Sequence, residues 1–369
     1  MTAGNDLVYA PEISERVKLA VKDLRVYFSL RRKLLDVLRG APRPFVRAVD
    51  GLSFEVFEGE VFSLVGESGC GKTTTGKTVL RLIKPYSGSI LYKPGAAVNH
   101  NRLRPETEYG HIDLAKYDEK ELKPLRRDLQ ICWQDPFSSI NPRKTIFKIL
   151  EEPLLIHRIG STRGERYEII AKALEMVKLV PPEEYMRAYP HMLSGGQRQR
   201  VVIARALILN PSFLVADEPV SMLDASVRAE ILSLMLELKE RYNLTYLFIT
   251  HDLAVARYIS SRIGVMYLGK MVEMGNAQKV LSDPLHPYTQ ALIEAIPEPE
   301  PERRLTVREL PIKGEVPSAV TLPEGCRFHP RCVVCESSPA LAEKCRTREP
   351  PLIKVEGDRY VACWLAARE

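Results

Sequence analysis

Val61-Phe62-Ser63-Leu64-Val65-Gly66-Glu67-Ser68-Gly69-Cys70-Gly71-Lys72-Thr73-Thr74 is the stretch that decides the fold of this chain. Its first five residues read as a buried strand, and Thr73 to Ile83 (TTTGKTVLRLI) reads as a helix leaving the loop. Between them lies G-x-x-x-x-G-K-[ST], the phosphate-binding loop pattern. Glycines let the backbone curl so that successive N–H groups face phosphate oxygens, and the helix N-terminus adds the positive end of its dipole. Lys72 is expected to reach the β- and γ-phosphates, and the Thr73 hydroxyl to ligate Mg²⁺. Strand, loop and helix in this order imply a nucleoside triphosphate site.

A second set of motifs narrows the type. Phe213-Leu214-Val215-Ala216-Asp217-Glu218 is an apolar strand ending in two acids. Asp217 is expected to hold Mg²⁺ through water, and Glu218 to polarise an attacking water. Upstream, Leu193-Ser194-Gly195-Gly196-Gln197 opens a helical stretch through Leu209, a second anion site with no strand or lysine of its own. Two phosphate-facing elements this far apart make sense on opposite faces of a dimer. The LSGGQ string, about 120 residues after the phosphate loop and about 20 before the acidic strand, resembles the signature of ATP-binding-cassette (ABC) ATPases.

That resemblance implies further roles. Gln134, in Cys132-Trp133-Gln134-Asp135, matches the glutamine that touches Mg²⁺ and relays nucleotide state to the transport partner. Asp224, in Ser221-Met222-Leu223-Asp224, matches the aspartate that crosses the dimer interface. His251, after the apolar run Tyr246 to Thr250, matches the histidine at the γ-phosphate. Phe28 is the expected adenine-stacking ring, with its neighbour Tyr27 as the alternative. Gly66 through Thr74, including Ser68, Gly69 and Cys70, are expected to line the nucleotide together with Ser194 to Gln197 of a second subunit. The implied fold class is α/β: a P-loop NTPase (RecA-like) core, an antiparallel β subdomain and a helical signature subdomain at about 137–205.

Composition agrees. The chain has 369 residues, enough for two to three domains, and 45% hydrophobic content supports a full core. A net charge of +6 is modest. The basic cluster Arg31, Arg32, Lys33, Arg39, Arg43 and Arg47 reads as a solvated face rather than a nucleic-acid or anionic membrane surface. No apolar run approaches the ~18 residues of a membrane span, and the N-terminus, which carries Asp6 and Glu12, lacks a secretory apolar core. A cytoplasmic protein that meets the membrane through partners is expected. Leu30 to Gly40 reads as a basic helix-like insert, and residues 93–124 as a polar insertion with His100 and His111 at the surface.

The tail narrows the family. His286-Pro287-Tyr288-Thr289-Gln290-Ala291-Leu292, Gly314-Glu315-Val316-Pro317-Ser318 and Gly325-Cys326-Arg327-Phe328-His329-Pro330-Arg331-Cys332 closely resemble the ATP-binding subunits of oligopeptide/dipeptide ABC importers, as does Asp135 to Arg143. The implied division is a nucleotide-binding domain over 1–296, then a linker and Cys-rich domain over 297–369. In this class two ATPase subunits, often non-identical, sit beneath two permeases, and an external binding protein delivers a peptide or oligosaccharide. Five of the seven cysteines fall between 326 and 363. Cys326, Cys332, Cys345 and Cys363 match the tail's four-cysteine pattern, spaced by 5, 12 and 17 residues, with Cys335 as a spare. The resemblance favours a [4Fe–4S] cluster; tetrahedral Zn²⁺, a disulfide or free thiols remain open. The alternatives to a transport motor are a soluble ABC ATPase acting on DNA or ribosomes, and an ATP-regulated iron–sulfur or redox sensor. The first calls for a long coiled-coil insertion or tandem cassettes, neither of which is present.

Overall fold

The computed structural model describes residues 8–30, 43–96, 98, 103–135, 139–296 and 311–366. The helix-like insert after Leu30, with Arg31, Arg32, Lys33 and Arg39, and His100 lie outside them. Two long strands, β1 (Val17–Ser29) and β2 (Phe45–Phe57), pair antiparallel. Strand β3 (Val61–Val65) is buried along its whole length and feeds the loop before helix α1 (Lys72–Val79). That helix ends at Val79 rather than Ile83, because Arg81 takes a left-handed conformation (φ 55°). Strands β4 (Ser87–Tyr92) and β5 (Ile112–Asp113) complete a four-stranded sheet in the order β2-β1-β4-β5.

The polar stretch before the glutamine strand is more structured than its composition implies. Leu103, Ile112, Leu114 and Leu122 are buried in the core between the two sheets. His111 is no surface residue: it is fully buried, its Nε2 lies 2.7 Å from the Val17 carbonyl, and its Nδ1 lies 3.0 Å from Thr107 Oγ1. Those two partners satisfy the ring, and this is what lets a polar side chain sit in the core.

Beyond β6 (Leu129–Cys132) the chain becomes helical: α2 (Ile146–Ile156), α3 (Arg163–Met176), α4 (Pro182–Arg187) and α5 (Gly195–Leu207). Their apolar faces share one core with Leu214, Tyr246 and Phe248 of the main sheet. Strand β7 (Phe213–Asp217), helix α6 (Ala225–Tyr242), strand β8 (Thr245–Ile249), helix α7 (Leu253–Ile259) and strand β9 (Arg262–Tyr267) follow. The order β6-β7-β8-β3-β9 is parallel throughout. Strands covered on both faces read as near-continuous apolar runs, and β7, β8 and β9 are buried end to end.

The tail folds onto this sheet. Strand β10 (Lys270–Asn276) runs antiparallel to β9, and helix α8 (Pro287–Glu294) packs behind it. After helix α9 (Pro339–Thr347), strands β11 (Ile353–Glu356) and β12 (Arg359–Val361) add to the outer edge of β10, extending the main sheet to eight strands. A buried ion pair between Arg359 and Glu273 (2.9 Å) fixes this docking. Glu273 also accepts from the backbone N–H groups of Leu285 and His286, both at 3.0 Å.

His286 caps α8: its Nδ1 accepts from the Tyr288 N–H at 3.0 Å, which requires the neutral ring. Burial pushes its pKa down from 6.5 to about 3. The unfolded chain therefore binds a proton at this ring below pH 6.5 that the folded chain refuses, so the fold loses stability as pH falls. His111, also lowered by burial, acts in the same direction. Between pH 6.5 and 4.5 the proton withheld from His286 should cost up to ~1.4 kcal/mol per pH unit. Urea midpoints across that window should fall less steeply in His286→Asn, which keeps an acceptor but does not titrate. Equal slopes for the two proteins would refute the assignment.

Candidate functional site

The phosphate loop owes its shape to close backbone approaches. Gly66 (φ 145°) and Gly71 (φ 107°) sit where a Cβ would lie 2.3 Å from the Met266 carbonyl oxygen and 2.2 Å from that of Ala48. Lys72 Nζ donates to the Gly66 and Glu67 carbonyls at 2.7 and 2.9 Å, so its ammonium is held inside the loop's curl. Cys70 is buried and serves the packing, as does Cys132. A cleft of about 540 Å³ opens above the loop, lined by Gly66 to Gly69, Gly71 to Thr74, Gln134, Glu218 and His251, with Ala48 and Leu292.

Three strand ends aim the chemistry into this cleft. Thr73 Oγ1 donates to Asp217 Oδ1 at 2.9 Å, which puts hydroxyl and carboxylate side by side. Burial raises the Asp217 pKa, opposed by the Thr73 hydrogen bond and by Lys77. These two oxygens and Gln134 fit Mg²⁺, a cation that takes one or two protein oxygens and keeps waters for the rest. Glu218, at the tip of β7, adopts a left-handed conformation (φ 48°), and its N–H is tied to the Ile249 carbonyl. Strain of this kind persists where surrounding contacts over-determine it. Its carboxylate is gripped from both sides: Gln134 Nε2 donates to Oε2 at 2.8 Å, and His251 Nδ1 lies 2.9 Å from Oε1. Four sequence-separated motifs thus converge.

The signature residues lie elsewhere. Ser194 and Gln197 form a reciprocal capping box at the start of α5, with Ser194 and Gly195 exposed. Neither Gly196 nor Asp224, the exposed N-cap of α6, lines the cleft. Phe28 and Tyr27 are not among its lining residues either. Phe28 is 41% exposed at the end of β1, and the Tyr27 hydroxyl donates to Asp50 while its ring meets Tyr86 at 4.7 Å. The sequence reading passed over Ala48 and Leu292 in the lining. It also missed Tyr288 and Arg331, which contact Glu67; both stand in quoted tail strings whose role was left open.

The tail thiols lie near one another. Burial pushes the Cys326 thiol up to about 12, with added charge interaction from Cys363 and Cys332. Cys345 is likewise raised by burial and by Cys335, Cys326 and Cys363. Yet among the described residues no three or more His, Cys, Asp or Glu side chains are grouped to hold a metal. The expected ligand set Cys326, Cys332, Cys345 and Cys363 for a [4Fe–4S] cluster or Zn²⁺ therefore gains no support from this arrangement. The spare, Cys335, is itself buried.

Comparison with known proteins agrees with this geometry. The family profile described as ABC transporter matches residues 49–221. The profile described as oligopeptide/dipeptide transporter, C-terminal region, matches residues 272–338. The oligopeptide transport ATP-binding protein AppF of Bacillus subtilis is 43% identical over 348 residues, covering 94% of this chain and 97% of AppF. Among solved structures, the ATP-binding cassette MJ0796, a dimer bound to ADP and Pi, aligns with a TM-score of 0.57 at 27% identity, covering 70% of this chain and 98% of that one. The cbiO1 protein of Clostridium perfringens shares the fold, with a TM-score of 0.57 at 24% identity over 73% of this chain and 92% of its own. A phosphate loop, an acidic strand pair and a signature helix on this sheet, followed by a tail of matching type, place the chain in the ABC transporter family, among its oligopeptide-type ATP-binding proteins.

Proposed function

We propose that this protein is the ATP-hydrolysing subunit of an ABC importer for peptides, with oligosaccharides as the alternative cargo. The observation that carries the reading is the convergence of Lys72, the Thr73–Asp217 pair and the Gln134–Glu218–His251 triad on one cleft. Bound Mg²⁺ would neutralise phosphate charge beside Thr73, Asp217 and Gln134. Glu218 withdraws a proton from water as the water oxygen bonds to the γ-phosphorus; the bond to the bridging oxygen breaks, and ADP departs. His251 and Gln134 hold the Glu218 carboxylate for that step and face the γ-phosphate.

The reading includes a second ABC ATPase subunit, a non-identical homologue, whose Ser194-to-Gln197 counterpart closes on this chain's nucleotide while Asp224 crosses the interface. The exposure of Ser194 and Gly195 supports this, as does the dimeric state of the MJ0796 cassette. Among the described residues no helix is long and apolar enough to cross a membrane. Attachment to the cytoplasmic face is assigned to two permease subunits, with an extracytoplasmic binding protein delivering the solute. Nucleic acid has no part in it. Co-expressed with its permeases and partner ATPase, the chain should sediment with membranes, and its ATPase rate should rise with peptide-loaded binding protein. Co-purification with DNA or ribosomes and with no permease would overturn the transport assignment.

A further inference from the structure

Glu67 is an awkward residue for a phosphate loop. Its side chain is 29% exposed, and the residue belongs to the lining of a cleft that must admit a polyanion. A bare negative charge there repels the ligand. The structure answers this from far along the chain. Arg331 grips the carboxylate as a fork, Nη1 donating to Oε2 at 2.8 Å and Nη2 to Oε1 at 3.2 Å. The Arg331 side chain is only 8% exposed, and its guanidinium lies over the Tyr267 ring, 5.8 Å from the centroid. The backbone N–H of Glu67 donates to the Tyr288 hydroxyl at 2.8 Å. One residue of the loop is therefore held by two residues from the region matched by the oligopeptide C-terminal profile.

The segment that supplies Arg331 is itself anchored. Phe328 is 1% exposed and packs against Tyr267 and Tyr288 with ring centroids 5.3 and 5.4 Å away. Arg327 donates to the Leu268 carbonyl and to Asp50. Docking the tail thus fixes the guanidinium before any nucleotide arrives.

We infer that Arg331 is a positioning residue for nucleotide binding: from the docked tail it neutralises and orients Glu67, so that affinity for the triphosphate depends on the tail. The inference rests on the ATP site proposed above. It gives the tail a task at that site which needs no metal.

The test uses the full chain, with fluorescent-nucleotide titration and steady-state ATPase kinetics. Arg331→Ala should weaken Mg-ATP binding and raise the ATP KM by about tenfold, one uncompensated charge beside the phosphates, with kcat at saturation little changed. Arg331→Lys keeps the charge but loses the fork, and should raise KM by about threefold. Adding Glu67→Gln to Arg331→Ala removes the unmasked carboxylate and should bring KM back to within about threefold of the parent. A merely structural role for Arg331 would lower the nucleotide-free Tm and give no such recovery. Unchanged KM in Arg331→Ala and Arg331→Lys, or no recovery in the double variant, overturns the inference. If Arg331→Ala does not fold, the KM of Arg331→Lys alone decides it. A parent chain that binds no Mg-ATP would sink the proposed function instead, which keeps the two failures apart.

Discussion

Glu218→Gln should abolish turnover while sparing nucleotide binding, with a rate loss of about 10²–10⁴-fold, the range set by removing a positioned general base. The amide keeps the shape of the carboxylate and can still meet Gln134 and His251, which lie 2.8 and 2.9 Å from the two oxygens. It cannot take a proton from water. ATP then stays intact between the subunits, and the closed dimer should accumulate on size-exclusion chromatography in Mg-ATP. Single-turnover assays with radiolabelled ATP would measure the loss directly. Hydrolysis at the parental rate would show that Glu218 is not the base. His251→Ala should produce a smaller defect, because the histidine orients the carboxylate without replacing it.

Lys72→Ala should act earlier, on binding. Lys72 is only 5% exposed and its ammonium is already oriented by the Gly66 and Glu67 carbonyls, so little side-chain entropy is lost when phosphates arrive. Removing it deletes charged hydrogen bonds to the β- and γ-phosphates and leaves two loop carbonyls without their donor. A loss of about 3 kcal/mol, roughly a hundredfold in Kd, is expected. Fluorescent-nucleotide titration measures it, and a Kd within threefold of the parent would refute the role. The contrast is diagnostic: Glu218→Gln binds and stalls, whereas Lys72→Ala fails to bind.

Much of the nucleotide site was readable because each part is local. A strand, a glycine turn and a helix start within fourteen residues encode Lys72 and Thr73 wherever they occur, and Asp217, Glu218 and His251 each end an unbroken apolar run. The structure adds how these ends meet, which follows from the parallel register of β7, β8 and β3. What escaped the sequence is non-local. Arg331 and Glu67 are 264 positions apart, and no pattern in either segment names the other. His111 was misplaced for a related reason: its polar neighbours argue for solvent, but the Val17 carbonyl supplies the partner that permits burial. The cysteine spacing was legible as a pattern, yet spacing along a chain does not fix how thiols point, and among the described residues no three or more His, Cys, Asp or Glu side chains are grouped to hold a metal.

The β11–β12 hairpin has a bearing on solubility that its place in the fold makes plain. Without it, β10 would end the main sheet with a free row of backbone donors and acceptors beside buried Met271, Val272 and Met274, a template for other chains. With it, the outermost strand is β11, four residues long, carrying Lys354 and Glu356 on a largely exposed face. A short, charged border of this kind offers a poor surface for intermolecular strand pairing. During synthesis the β10 border stays open until residues 359–361 emerge and fold back, leaving a late interval in which the nascent chain is prone to self-association.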